Sequence, residues 1–117
     1  MQVRALAFLD QAGDRIEPHI AAFARTNLEM FTGRSHSHLE NWPEAAAHLR
    51  VAVGLVRDGG NKGLESRALS RLGDVLLAAG HRDEARDVFT RCVSLGTAAG
   101  PGRLAEAREH LADLDAL

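Results

Sequence analysis

The stretch LGDVLLAAGHRDEARDVF, residues 72–89, decides the fold, because it contains two helical patterns separated by a tight turn. Apolar residues recur every three or four positions on each side of Gly80, which is the spacing of an amphipathic α-helix. Gly80 ends the first helix, since glycine readily adopts the left-handed conformation found at helix ends. The stretch predicts a helix–turn–helix, which belongs either to a DNA-reading domain or to one layer of a stacked array.

The charge of the chain argues against DNA. The 117 residues are 45% apolar and 26% charged, and the formal net charge is −2. A domain that binds duplex DNA normally carries a basic excess to neutralise phosphates. The helix after Gly80 also mixes three arginines with three carboxylates, which suits solvent better than phosphate. We therefore expect no direct contact with nucleic acid.

The remaining composition predicts a soluble, cytoplasmic, all-α protein. Alanine and leucine dominate the apolar residues, and no alternating β-branched segment occurs. Cys92 is the single cysteine, which excludes an internal disulfide and fits a reducing compartment. The sequence has neither an apolar run of membrane-spanning length nor a signal-peptide pattern.

Spacing, glycine and proline divide the chain into six predicted helices in one domain, residues 1–117. Asn41 and Glu44 have the spacing of a capping box at the start of the third helix. The apolar face of the second is expected to hold Ile20, Phe23, Ala24, Leu28 and Phe31. The helices are predicted at about 2–12, 18–37, from Asn41 to the RDGGNKG segment, 62–79, 83–95 and 101–117.

A repeat of 40 residues relates these helices to one another. Small, large and small side chains recur in three registers, and Gly73 falls 40 residues after Gly33. Small residues let a neighbouring helix approach closely, and we expect the bare Cα of Gly73 to mark such a crossing. The three registers are Ala5, Leu9 and Ala12; Ala45, Leu49 and Ala52; and Ala85, Phe89 and Cys92.

Residues 66–97 resemble the tetratricopeptide repeat (TPR) family, and residues 26–57 resemble it less closely. The family's motif positions correspond here to Leu69, Leu72, Gly73, Leu76, Gly80, Ala85, Phe89 and Cys92. The 40-residue step exceeds the usual repeat of about 34 and is similar to a longer variant in bacterial transcription regulators. The resemblance implies a short α-solenoid of about six helices in antiparallel pairs, with no enzymatic activity. The longer variant further implies the sensor or coupling region of a bacterial transcription regulator as one expected setting.

The resemblance also implies a binding face on the first helix of each pair, where such arrays hold a peptide or protein segment. Asp74 and Met30 stand where the family's carboxylate clamp has asparagine and a basic residue, which argues against that ligand class. Arg34, Arg67 and Arg71 would suit an acidic segment, because arginine binds carboxylates through paired hydrogen bonds. The implied lining residues are Asn27, Met30, Arg34, Arg67, Ser70, Arg71, Asp74 and Leu77.

Metal, cofactor and catalytic sites are not predicted. His36 and His38 are two apart, so on a helix they point to opposite sides, and His48 finds no obvious carboxylate or cysteine to complete a set. Cys92 is expected to be a packing residue like Ala52, not a nucleophile. The GGNKG segment lacks the spacing of a phosphate loop.

The first predicted helix, residues 2–12, is apolar around most of its circumference, so one neighbouring helix cannot cover it. Its partner would be a second copy of the chain, another part of a larger protein, or a separate protein, and Val3, Leu6, Phe8 and Leu9 are the expected interface residues. Besides binding of a peptide or protein segment, the sequence leaves two alternative functions. One is dimerisation through this helix, and the other is sensing of a small molecule between the second and fourth helices.

Overall fold

The computed structural model describes residues 18–116, which form five α-helices and no β-strand. The prediction of an all-α chain is confirmed. The predicted helix at residues 2–12 lies outside the described residues. The helices are α1 (Pro18–His38), α2 (Trp42–Gly59), α3 (Lys62–Ala78), α4 (Arg82–Ser94) and α5 (Pro101–Asp115), with a 3₁₀ turn at Gly96–Ala99 before α5.

Two turns of the same geometry join α1 to α2 and α3 to α4. The His81 amide donates to the Leu76 carbonyl (2.8 Å), and the Gly80 amide donates to Leu77 (3.1 Å). Forty residues earlier the Asn41 amide donates to His36 (2.9 Å), and the Glu40 amide donates to Ser37 (3.0 Å). This paired bonding closes a helix end through a left-handed residue, here Gly80 (φ +83°) and Glu40 (φ +56°).

The predicted capping box at Asn41 is wrong. Asn41 does precede α2, but its side chain caps no backbone amide, and its Nδ2 lies 3.4 Å from His36 Nδ1. The helix start at Asn61 is capped instead, where Oδ1 accepts from the Leu64 amide at 3.1 Å. The presence of Pro43 in the first turn of α2 removes one amide that would otherwise need a partner.

Each helix packs against the next along the chain, and α3 also contacts α1 and α5. The backbones of α1, α3 and α5 therefore follow one side of the molecule. The α2 and α4 backbones do not approach within 8 Å of each other in the described part of the chain. Arg50 of α2 and Glu84 of α4 span this gap through two hydrogen bonds, 3.0 Å from Nε and 2.7 Å from Nη2.

The 40-residue register appears as equivalent packing in the two helix pairs. Ala45 and Ala85 are fully buried, as are Ala52 and Cys92, while Leu49 and Phe89 are each 1% exposed. A Cβ placed on Gly33 would lie 2.8 Å from Leu49 Cγ, and one on Gly73 would lie 2.5 Å from Phe89 Cζ. The predicted close crossing at Gly73 is confirmed, and Gly33 forms its counterpart.

The predicted apolar face of α1 is not its buried face. Ile20, Phe23 and Phe31 share one side of the helix as predicted, but they are 49%, 52% and 60% exposed. The buried positions of α1 are instead Thr26, Met30, Thr32 and Gly33. The Thr26 and Thr32 hydroxyls donate to carbonyls four residues earlier, at 2.7 and 2.9 Å, so burial leaves neither hydroxyl without a partner.

Candidate functional site

A groove between α1 and α3 contains most of the residues implied as a binding face. At one end lies a cavity of about 140 Å³, whose walls come from these two helices alone. Five of its six lining residues belong to the predicted set. The lining residues are Asn27, Met30, Phe31, Arg34, Arg67 and Arg71.

A second cavity of about 300 Å³ continues the groove toward the α1–α2 turn. The two cavities share Arg34 and Arg71, so these guanidinium groups stand between them. We call the two cavities together the arginine groove. The other residues of the second cavity are Gly33, Ser37, Trp42, Leu49, Asp74, Val75 and Ala78.

Positive charge is concentrated around Arg71. Partial burial lowers the pKa of Arg71, and the neighbouring charges of Arg34, Arg67 and Arg103 lower it further, while Asp74 opposes them. Arg67 and Arg71 form no ion pair with any side chain in residues 18–116, and Arg34 Nε contacts His38 Nε2 at 3.4 Å. The groove thus presents three guanidinium groups that form no ion pair within the described chain, with Asp74 as a nearby carboxylate.

Asp74 is the carboxylate of the second cavity. Burial raises its pKa, as does nearby Glu106, whereas His110 and Arg71 lower it. His110 Nε2 of α5 lies 3.5 Å from Asp74 Oδ1, and its ring stacks on Phe89 with centroids 4.7 Å apart. The sequence analysis did not anticipate this link from α5 to α3.

Two of the predicted lining residues lie elsewhere. Ser70 Oγ is 3.7 Å from Cys92 Sγ and so faces α4, and Leu77 packs against the hydrophobic core. Neither lines the groove, because both belong to the side of α3 that meets its neighbour. The predicted interface residues Val3, Leu6, Phe8 and Leu9 lie outside the described residues.

Sequence reasoning missed two lining residues of the groove, Phe31 and Trp42, and the nearby charge of Arg103. Phe31 was predicted only as part of the apolar face of its helix. Trp42 does pack against the core, but it also lines the second cavity. The 40-residue register offered a signal for Phe31, since it falls on the same position as Arg71 of the binding face.

The histidines of the first helix pair form a packed cluster. Glu29 Oε2 lies 2.7 Å from His48 Nδ1, and the His36 ring stacks on His48 with centroids 5.3 Å apart. The sequence analysis did not anticipate the contact between Glu29 and His48. Over residues 18–116, no three His, Cys, Asp or Glu side chains are arranged to hold a metal ion.

A third cavity, of about 270 Å³, lies at the start of α1 between Ile20, Phe23, Leu55 and Leu64. Its walls are mainly apolar. The side chains of Thr26 and Asn61, its two polar members, are already bonded to backbone groups. A ligand-binding pocket usually adds a few polar groups that orient the ligand. We therefore place the candidate site at the arginine groove.

Several charged side chains of α4 form ion pairs with residues of the other helices. Arg91 Nε lies 2.9 Å from Glu65 Oε2, whose side chain is 4% exposed, and Arg86 Nη2 lies 3.4 Å from Asp115 Oδ1. Glu84 pairs with Arg50. In a DNA-reading domain α4 would be the recognition helix. Two of its three arginines, Arg86 and Arg91, instead pair with carboxylates of the same chain.

Comparison of the chain with protein-family models, curated proteins and solved structures finds no match. Of the helices formed by residues 18–116, none combines the length and the apolar character that crossing a membrane requires.

Proposed function

We propose that the protein is a non-enzymatic module of TPR type that binds an acidic protein segment in the arginine groove. In this proposal α1–α2 and α3–α4 are two repeat units, and α5 begins a third. The equivalent glycine crossings and turns of the two pairs support the repeat assignment. The free, buried thiol of Cys92 supports the cytoplasm as the compartment.

One observation carries the proposal: Arg34, Arg67 and Arg71 converge on one cavity, and none of them forms an ion pair with a carboxylate of residues 18–116. Arginine binds carboxylates through paired, charge-assisted hydrogen bonds. Repulsion among these cations would be relieved by a bound anion. A groove built on two packed helices also needs little reordering on binding, which favours affinity.

The test uses a fluorescein-labelled peptide of twelve residues, six glutamates and six serines, with fluorescence anisotropy as the measurement. Arg71→Ala is compared with Arg57→Ala, because Arg57 is exposed on α2 and lies outside both cavities. We expect Arg71→Ala to weaken binding by about tenfold or more, since a hydrogen bond to a charged group contributes about 1.5–3 kcal/mol. Arg57→Ala should stay within about twofold on the same energy scale.

Thermal melting of both variants is the control for folding. Equal losses in the two variants would contradict the proposal, because binding would then depend on net charge alone. Affinity should fall as salt is added, since exposed ion pairs are screened. A peptide in which lysine replaces glutamate should not bind.

Self-association is a second candidate, favoured by the exposed apolar residues of α1. Ile20, Phe23 and Phe31 fall on one side of the helix and are each about half exposed or more. An exposed apolar stripe of this kind is a common protein contact. Light scattering after size exclusion tests it: a monomer whose mass is independent of concentration would reject dimerisation, and Phe23→Ser should dissociate any dimer.

A further inference from the structure

The second cavity of the arginine groove differs from the first in its floor. Leu49 and Val75 are 1% and 4% exposed, and Trp42 is partly buried beside them. Gly33 brings α1 close to Leu49, because no Cβ separates the two. The floor is therefore apolar and fixed by core packing, so it does not need to form when a ligand arrives.

The rim of this cavity carries the charge. Arg34 and Arg71 belong to both cavities, and the third charged residue of this rim, Asp74, lies 3.5 Å from His110 Nε2. An acidic residue held by the two arginines therefore stands at the edge of the apolar floor. Successive residues of an extended segment are about 3.3 Å apart, and their side chains alternate in direction. The side chain two positions from the bound carboxylate points in the same direction and would then lie over Leu49 and Val75.

We infer that the bound segment carries a bulky apolar side chain, such as leucine or phenylalanine, two positions from its acidic residue, and that the second cavity receives it. This inference rests on the proposed function and specifies its ligand. The volume is sufficient, because the cavity of about 300 Å³ exceeds the roughly 150 Å³ of an engineered cavity that binds benzene. Burial of that side chain supplies selectivity that charge alone does not provide.

The experiment compares two unlabelled twelve-residue peptides by titration calorimetry. One contains glutamate and serine alone, and the other has leucine in place of two central serines. Trp42 is the single tryptophan of the chain, so its emission reports on the second cavity. We expect the leucine peptide to bind at least tenfold more tightly and to shift the Trp42 emission to shorter wavelength, and the serine peptide to bind without this shift.

Two matched variants test whether the leucine side chains of the peptide bind in the second cavity. Ala78→Leu places a side chain in the mouth of the second cavity, whereas Ala47→Leu places the same side chain on an exposed part of α2 outside both cavities. Ala78→Leu should remove the advantage of the leucine peptide, and Ala47→Leu should retain it. Circular dichroism of both variants checks that the helices are intact.

The outcomes separate this inference from the proposed function. Equal binding of the two peptides with an unchanged Trp42 spectrum would overturn the apolar pocket and leave acidic-segment binding standing. Retention of the leucine advantage in Ala78→Leu would also overturn it, since the leucine would then contact another surface. Failure of both peptides to bind would overturn the two proposals together.

Discussion

The helix pairs α1–α2 and α3–α4 have the same turns and crossings but different interiors. Leu69, Leu76 and Val88 are buried apolar residues of the second pair. The positions 40 residues earlier hold Glu29, His36 and His48, which bond and stack with one another. The backbone geometry of a pair therefore depends on its glycine crossing and its turn, while a polar cluster with satisfied hydrogen bonds can replace part of the apolar interior.

The glycine crossings give the largest expected difference between the pairs. In Gly73→Ala the new Cβ would meet the Phe89 ring at 2.5 Å, whereas in Gly33→Ala it would meet the more adaptable Leu49 side chain at 2.8 Å. We expect the free energy of unfolding to fall by about 2–3 kcal/mol for Gly73→Ala and about 1 kcal/mol for Gly33→Ala. Urea denaturation measures both losses. Equal losses would show that side-chain flexibility does not distinguish the crossings.

The polar cluster of the first pair is the next test. His48→Val removes the partner of Glu29, whose side chain is 12% exposed, so it should lower stability by about 1–3 kcal/mol. The double variant Glu29→Leu/His48→Val restores the apolar chemistry of the second pair and should recover most of that loss. A double-mutant cycle in urea gives the coupling between the two residues. Additive losses would mean that the cluster is not a unit.

Substitutions at the left-handed residues of the two turns should change the stability of the protein in opposite directions. Gly80→Ala places a side chain in the left-handed region and should lower stability by about 1 kcal/mol, whereas Glu40→Gly removes such a side chain and should raise it by up to a similar amount. Thermal melting distinguishes the two shifts. A destabilised Glu40→Gly would indicate that the Glu40 side chain contributes more than its backbone conformation costs.

The ion pair between the two helix pairs gives the smallest expected effect. The hydrogen bond from Arg50 lowers the pKa of Glu84, so the pair stabilises the fold above the ordinary glutamate pKa and loses that contribution as the pH falls through the lowered value. Glu84→Gln should lose about 0.2–1 kcal/mol at pH 7 because the pair is exposed. Unfolding at several pH values should show this loss vanish in acid. If the stability lost in Glu84→Gln did not depend on pH, the loss would come from side-chain packing and not from the ion pair.

The turns and crossings could be predicted because they depend on a few residues with strong local preferences. Gly80 and the Ala85, Phe89 and Cys92 register identified the second pair from local pattern alone. The end of α1 was less predictable, because Glu40 takes a conformation that glycine normally takes. Only the hydrogen bonds of the folded turn show that the two ends are equivalent.

The buried face of α1 could not be predicted, because the apolar residues of this helix lie mainly on its exposed side. Ile20, Phe23 and Phe31 have helical spacing, yet threonine and glycine occupy the buried side. Threonine can be buried in a helix when its hydroxyl bonds to the preceding turn, and sequence does not show which bond forms. For the groove, the family resemblance indicated the arginines, but the joining of two cavities through Arg34 and Arg71 depends on three-dimensional placement.

The unequal contacts on the two sides of the molecule have a mechanical consequence. On the side of α1, α3 and α5 the helices touch, so bending that compresses this side meets hard repulsion. The gap between the α2 and α4 backbones is spanned by the exposed pair of Arg50 and Glu84, which yields to extension more readily. Ionic strength would weaken that tie, so the resistance of the molecule to bending in this direction should depend on the surrounding electrolyte.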